Sequence, residues 1–318
     1  MKAAVVSRFG ESPRYADTPE PVATEATEVV VDVLASALSP RVRSQAAGSH
    51  YTSTNDLPLI PGIDGVGHLP DGTLAYFLMP DTNHGAMAER TAIDLRRAVP
   101  LPEGADPIQL AAAMNPAMAS WVALKQRVTF ERGQSVLVLG ATGSAGRAAV
   151  EVANRLGASE IVAVGRGADR MQDLRKHGAT RIIDLYETSD TVAKNLAQAG
   201  SEIDVVLDFL WGEPTSKALY AIIPNRARDE QSLIWIQIGS AAGLESPIPA
   251  AALRAANLRI IGSGQGSVPL RAYRQEIEAL AQEIHAGAFT TATRRVPLRD
   301  VEQAWADTSS TERIVIVP

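Results

Sequence analysis

The 318-residue chain contains no cysteine. That absence removes disulfides, thiolate nucleophiles and every metal site built on sulfur ligands. Excess positive charge is lacking as well: the net charge is −6 and no lysine-arginine stripe occurs, which argues against a nucleic-acid surface. Acidic runs, internal repeats and low-complexity segments are also missing. Long apolar runs are few. Met1-Lys2-Ala3-Ala4-Val5-Val6-Ser7-Arg8 is too short for a signal peptide, and Leu110 to Leu124 is expected to be interrupted by Asn115-Pro116, so it should not span a bilayer. A soluble, cytoplasmic protein with no membrane partner is expected. At 46% hydrophobic residues the chain can bury two cores, and its length fits two domains.

What the chain does have is a glycine turn. Ser135 to Leu139 is an apolar run suited to a buried strand, and Gly140-Ala141-Thr142-Gly143-Ser144-Ala145-Gly146 follows it. A helical run from Arg147 to Leu156 comes next, with Ala145, Ala149, Val152, Ala153 and Leu156 on one face and Gly157 to end it. Strand, glycine turn and helix N-terminus together bring backbone amides up to a dinucleotide pyrophosphate. The first glycine permits the sharp exit, the second clears space for phosphate, and the third lets helix and strand pack closely. The spacing departs from the common G-x-G-x-x-G, but a second strand, Ile161-Val162-Ala163-Val164, completes the context.

The tip of that second strand indicates which dinucleotide binds. NAD sites place an acidic residue there for the ribose hydroxyls. Here the chain reads Gly165-Arg166-Gly167-Ala168-Asp169-Arg170, so Arg166, with Arg170 to assist, offers donors for a 2′-phosphate and NADPH is the expected cofactor. The alternative is that Arg166 is a solvated surface residue and Asp169 takes the ribose.

Residues 1 to about 118 hold short β-type runs broken by proline and glycine, at 2–6, 28–34, 65–69 and 74–78, which suggests a mostly antiparallel, barrel-like region. From about Ser120 strands alternate with helices, at 135–139, 160–164, 181–184, 203–207, 233–238 and 258–261. Six strands are what a doubly wound dinucleotide domain requires. A helix at 270–286, a strand near Thr293, a short helix from Asp300 and a last strand at 313–317 are expected to rejoin the N-terminal region. The expected fold is therefore α/β. A parallel six-stranded Rossmann domain (120–266) is inserted in a mostly antiparallel substrate domain (1–119 and 267–318).

Across nearly its whole length the chain resembles the medium-chain dehydrogenase/reductase superfamily, in its zinc-free NADPH:quinone oxidoreductase branch. The residues that carry the resemblance are Met1-Lys2-Ala3, Pro61-Gly62-Ile63-Asp64-Gly65-Val66-Gly67, Gly85-Ala86-Met87-Ala88-Glu89, Leu101-Pro102-Glu103-Gly104, the glycine turn, and Arg313 to Pro318. It implies a GroES-like substrate domain and a homodimer joined along the sixth-strand edge, Leu258 to Ile261. Zinc-dependent members use a cysteine, a Gly-His-Glu element and a four-cysteine lobe. Their counterparts here are Ser39, Ile63-Asp64 and no lobe, so no zinc is expected; a histidine-only site among His50, His68 and His84 matches no metal spacing.

Without a Lewis acid the acceptor should already be electron-poor, a quinone or an α,β-unsaturated carbonyl that takes hydride at carbon. The protein then mainly holds nicotinamide and acceptor together in a dry cleft. By resemblance to enoyl-thioester reductases, Tyr51 is the candidate catalytic proton donor or carbonyl clamp; the alternative is that it only packs at a rim. Ser39, Arg41, Tyr51 and Asp64 are the expected substrate-pocket residues. Arg41 and Arg43 could recognise an acidic substrate or lie on a helix surface, and Asp64 could accept a hydrogen bond from a ribose or stabilise a turn. Phe209, Leu210, Ile238, Gly239 and Ser240, at strand ends, should line the nicotinamide half, and Gly264 and Gln265 lie in a glycine-rich stretch that could gate or merely link. The family often has a tyrosine on the 2′-phosphate at the place where Leu185 stands, and Tyr186 comes one position late. Trp121, Trp211, Trp235 and Trp305 read as packing residues. Two other functions stay open: a 2-enoyl-thioester reductase, and a non-catalytic NADPH-binding sensor or partner-binding protein.

Overall fold

The computed structural model describes residues 1–54 and 56–318; Asn55, in the loop 39–57 expected to shape the substrate pocket, lies outside the described residues. The chain divides into two compact units, one of Met1–Asn115 with Arg274–Pro318, the other of Pro116–Tyr273. Composition places the divisions after residues 119 and 266; both observed divisions instead fall inside helices.

In chain order the first unit begins with β1 (Lys2–Val5), β2 (Arg14–Asp17), β3 (Glu28–Ala37), α1 (Pro40–Ala46), β4 (Asp64–His68), β5 (Leu74–Leu78), β6 (Arg90–Asp94) and β7 (Ala98–Pro100). Then α2 (Pro107–Val122) runs into the second unit. Pro116 lies inside α2, so the helix itself continues through Asn115-Pro116. A proline removes one helical hydrogen bond without ending the helix when the rest of the turn is held. Among the described residues no helix is long and apolar enough to cross a membrane.

The second unit continues with β8 (Ser135–Leu139), α3 (Ser144–Leu156), β9 (Glu160–Gly165), α4 (Ala168–Asp173), β10 (Arg181–Asp184), α5 (Ser189–Gly200), β11 (Val205–Asp208), α6 (Gly212–Ile222), β12 (Leu233–Gln237), α7 (Ala252–Ala255) and β13 (Leu258–Gly262). After α8 (Leu270–His285) come β14 (Thr293–Pro297), α9 (Val301–Ala306) and β15 (Arg313–Val317), which return to the first unit.

All neighbours in the six-stranded sheet are parallel, in the order β10-β9-β8-β11-β12-β13. The direction of winding reverses between β8 and β11, and ligands of such sheets bind outside the strand ends at that reversal. Buried on both faces, the strands read as nearly unbroken apolar runs such as Val-Leu-Val-Leu in β8. Leu137, Leu139, Val162, Val206, Leu219, Ile222 and Trp235 form the core on one face. In the other unit the seven-stranded sheet is antiparallel except for β14 with β15, and β15 adds to β3 by pairing Val315 with Ala37. Its cores include Val6, Val42, Leu59 and Ile316, and Val31, Val33 and Phe77.

One contact sets how α3 meets β8. A Cβ on Gly146 would stand 2.1 Å from the Gly140 carbonyl oxygen and 2.7 Å from the Ala141 Cα, backbone atoms that cannot rotate aside. Gly146→Ala should therefore destabilise the protein by about 2 kcal/mol or more in urea denaturation. In contrast, Gly143→Ala, whose added carbon meets nothing nearer than 3.6 Å at a φ of −79°, should stay within about 0.5 kcal/mol of wild type. Equal stabilities for the two variants would contradict the packing argument.

Candidate functional site

Gly140 leaves β8 with φ +90°, and its N–H and that of Ala141 both donate to the Val164 carbonyl at 2.9 Å. The turn is thereby anchored to β9. Gly143 caps α3, and the first α-helical bond is Arg147 N–H to Gly143 O at 2.8 Å. By helix geometry the N–H groups of Ser144, Ala145 and Gly146 have no carbonyl one turn back, and Gly143 and Ser144 are exposed. This open amide end is suited to an anion.

Arg166 and Arg170 follow β9. The Arg166 N–H donates to Thr142 Oγ1 at 3.4 Å, which ties the strand tip to the glycine turn. Gly165 packs on the same threonine: a Cβ there would stand 2.8 Å from Thr142 Cγ2. Both arginines are exposed, and the Arg166 guanidinium lies 6.0 Å from the centre of the Tyr186 ring. The alternative ribose acceptor, Asp169, sits exposed in the first turn of α4.

Across the reversal, Asp208 ends β11 fully buried, and each of its carboxylate oxygens accepts two hydrogen bonds. Oδ1 takes the N–H groups of Leu210 and Trp211, both at 2.9 Å, and Oδ2 takes the Thr215 hydroxyl at 2.6 Å and Trp235 Nε1 at 2.9 Å. Its carbonyl accepts from Ile238 and Gly239 at 2.8 and 3.1 Å. This network presses Leu210 on Gly140 and Phe209 on Gly239, where a Cβ would stand 3.0 Å from Leu210 Cδ2 and 2.9 Å from Phe209 O respectively. The Asp208 carboxylate was not singled out by sequence reasoning, although an aspartate closing an apolar strand, Val-Val-Leu-Asp, was visible.

After β13, Gly264 opens a short turn containing Gln265. Arg127, also missed, spans this loop by donating to Gly262 O at 2.9 Å and Ser267 O at 3.0 Å, so the segment is held rather than a free linker. Gln265 Nε2 is buried with no hydrogen-bond partner among the described residues. Gly140 to Gly146, Gly165, Arg166, Arg170, Phe209, Leu210, Ile238, Gly239, Ser240, Gly264 and Gln265 thus share the carboxyl edge of one sheet. An exposed amide end, two arginines and an orphaned amide fit a dinucleotide.

The other unit looks different from what the sequence suggested. Ser39 is buried and accepts from Val42 N–H at 3.2 Å, capping α1. Arg41 approaches Asp81 at 3.9 Å. Arg43 is no surface residue of a substrate pair: it donates to the Trp305 and Asp307 carbonyls at 2.5 and 3.1 Å, where α9 leaves its last carbonyls unpaired, and stacks over Trp305. Tyr51 is 85% exposed, its ring tilted on His50 at 4.5 Å, so within its own unit no pocket encloses the phenol.

Asp64 does not stabilise a surface turn. It opens β4 at 2% exposure, and its Oδ2 accepts the Tyr76 hydroxyl at 2.7 Å. Burial pushes its carboxyl up to about 6, with Tyr76, Arg313 and Arg41 pulling the other way. Arg313, for which the sequence offered no role, is buried nearby in the electrostatic sense, and its Nε has no partner among the described residues. The counterpart of the zinc-dependent members' cysteine is a helix-capping serine, that of their histidine is Ile63, and among the described residues no three His, Asp or Glu are placed to hold a metal.

Residues 145–285 match the family model described as zinc-binding dehydrogenase. The quinone oxidoreductase of Thermus thermophilus, solved also with NADPH, superposes over the full length of both chains with a TM-score of 0.79 at 26% identity. Over its whole length the chain is thus similar to quinone oxidoreductases of the medium-chain dehydrogenase/reductase superfamily. A probable NADPH-dependent quinone reductase (tdiC) of Emericella nidulans is 28% identical over all of both chains. An NADPH-dependent alkenal/one oxidoreductase of Arabidopsis thaliana is 26% identical over 57% of this chain and 49% of its own length. The Pseudomonas syringae quinone oxidoreductase shares the fold, with a TM-score of 0.84 at 20% identity, covering 100% and 99% of the two chains.

Asp64 gives the protein a pH signature. Its native value of about 6 lies above the ordinary 3.8, so between those values the native state holds a proton that the unfolded chain has lost. Stability therefore falls as pH rises through this window and levels off above it. Asp64→Asn keeps an acceptor for Tyr76 but cannot ionise, so its stability relative to wild type should improve by on the order of 2–3 kcal/mol between pH 4 and pH 7. Urea denaturation at both pH values measures this; a difference that does not change with pH would refute it.

Proposed function

We propose that the protein is an NADPH-dependent oxidoreductase that reduces a quinone or an activated α,β-unsaturated carbonyl without a metal. The observation that carries this reading is the shared sheet edge. There the open amide end of α3 stands beside a strand tip that carries Arg166 and Arg170 with no acidic residue between Gly165 and Ala168. The quinone reductase of Emericella nidulans and the NADPH-bound Thermus enzyme support it, and the alkenal/one oxidoreductase extends it to enones.

In this reading the N–H groups of Ser144 to Gly146 hold the pyrophosphate, Arg166 and Arg170 hold the 2′-phosphate, and Phe209, Leu210, Ile238, Gly239 and Ser240 line the nicotinamide half. Gln265 Nε2 supplies the nicotinamide carboxamide with a donor. When bound, the coenzyme supplies hydride to an electron-poor carbon. The chain contributes orientation, which can itself lower a barrier greatly. A quinone or enone oxygen needs only a proton, and the exposure of Tyr51 supports solvent as its source. Arg43 is committed to α9, so only Arg41 remains of the pair that could recognise an acidic substrate. The outer edge of β13 continues the sheet across a homodimer axis, and the protein acts in the cytoplasm.

NADPH oxidation assayed with a small quinone, a cyclic enone and an enoyl thioester should be fastest with one of the first two. Inactivity with all three alongside tight NADPH binding would favour a sensor, and preference for the thioester would favour the carrier-linked reductase. Arg166→Ala should weaken NADPH at least about tenfold while NADH changes less than about threefold; equal loss for both would remove the phosphate role. Tyr51→Phe should keep kcat on an enone within about threefold of wild type; a hundredfold loss would make the phenol the proton donor.

A further inference from the structure

We infer that Asp184 is a positioning residue for coenzyme selection: its carboxylate folds the loops after β9 and β10 against each other so that Arg166 and Tyr186 form one 2′-phosphate clamp. The inference rests on the NADPH reading above and assigns what enforces it.

Tyr186 comes one position late in sequence, and in a continuing strand that slip would turn the ring to the opposite face. The strand does not continue. β10 ends at Asp184, and the side-chain Oδ1 of Asp184 accepts the N–H of Tyr186, two residues on, at 3.0 Å. Such an aspartate turn redirects the chain at once. Leu185 donates its N–H to Gly165 O at 2.7 Å and packs on the sheet core, while Tyr186 emerges exposed beneath the Arg166 guanidinium.

The same Oδ1 receives a second, longer hydrogen bond, from Gly167 N–H at 3.4 Å. Gly167 has φ +93°, and the Arg170 guanidinium lies 3.5 Å from where its Cβ would stand. One oxygen atom therefore joins the backbone between the two arginines to the backbone that carries the tyrosine. Register agrees, since Asp184 pairs with Gly165 in the sheet. The carboxylate's charge does not favour a phosphate nearby, and what it provides is an acceptor for two N–H groups. Its role is geometric, and an amide oxygen should replace it.

Dissociation constants for NADPH and NADH, with KM and kcat for NADPH, test this in wild type, Asp184→Ala, Asp184→Asn and Tyr186→Ala. Asp184→Ala should lower the NADPH-over-NADH affinity ratio about tenfold or more, through KM with kcat within about threefold, while NADH binding stays near wild type and reports an intact fold. Asp184→Asn should keep or raise the ratio. Tyr186→Ala, on an exposed side chain that cannot threaten folding, should lower it at least about threefold. If wild type prefers NADPH but Asp184→Ala or Tyr186→Ala leaves the ratio unchanged, this inference fails alone; so it does if Asp184→Asn falls with Asp184→Ala. If wild type shows no preference for NADPH, the coenzyme reading itself is overturned and this inference with it.

Discussion

The close approach of Gly146 to the Gly140 carbonyl decides where everything else at the sheet edge can stand. Only a hydrogen at that position lets α3 begin directly against the end of β8. With the helix seated there, its free amides open at the reversal of the sheet, and its macrodipole favours negative charge at the same place. The turn cannot drift, because Gly140 and Ala141 both donate to Val164, and Thr142 accepts from Arg166. The open amide end and the strand tip that carries the arginines are thus parts of one hydrogen-bonded piece.

Two aspartates extend that piece by the same chemistry. Asp184 closes β10 and Asp208 closes β11, and each accepts the N–H of the residue two positions on. An aspartate can satisfy backbone donors that a strand leaves behind when it ends, so it converts the last ladder position into a fixed turn. Asp208 has in addition a buried hydroxyl and an indole N–H as partners. Losing the carboxylate would strand those two donors, at about 1–3 kcal/mol for each unsatisfied group. The two loops set by these turns lie on opposite sides of β8 and β9, one toward the adenosine end and one toward the nicotinamide end in the proposed reading.

Regular elements with strong periodicity were legible in the sequence: β8, β10 and β15 occupy the expected residues, and the other strands of the parallel sheet shift by one or two. The glycine turn was legible because each glycine answers a local constraint. Hidden were features that depend on partners far along the chain. Arg43 and Trp305 stand 262 positions apart, Arg313 reaches the neighbourhood of Asp64 through the pairing of β15 with β3, and Arg127 clasps a loop 135 to 140 residues away. The facing of Tyr186 was hidden for a different reason. Alternation holds only while a strand lasts, and the aspartate that ends β10 is itself the signal that it no longer applies.

The unit of Met1–Asn115 with Arg274–Pro318 uses its charged residues to hold itself together. Arg43 serves the end of α9, Ser39 the start of α1, and Asp64 shares a buried interior with Tyr76 and Arg313. A carboxyl that burial holds near half-ionisation around pH 6, beside a guanidinium with an unpartnered nitrogen, is a costly arrangement for stability alone, since apolar residues of similar size could fill the space at no electrostatic cost. Arg313 opens β15, which pairs with β3, so a shift of β15 by one residue would change its position relative to the Asp64 carboxyl. In the proposed reading the acceptor needs only hydride and a solvent proton, so these engaged groups are free to serve the fold rather than the chemistry.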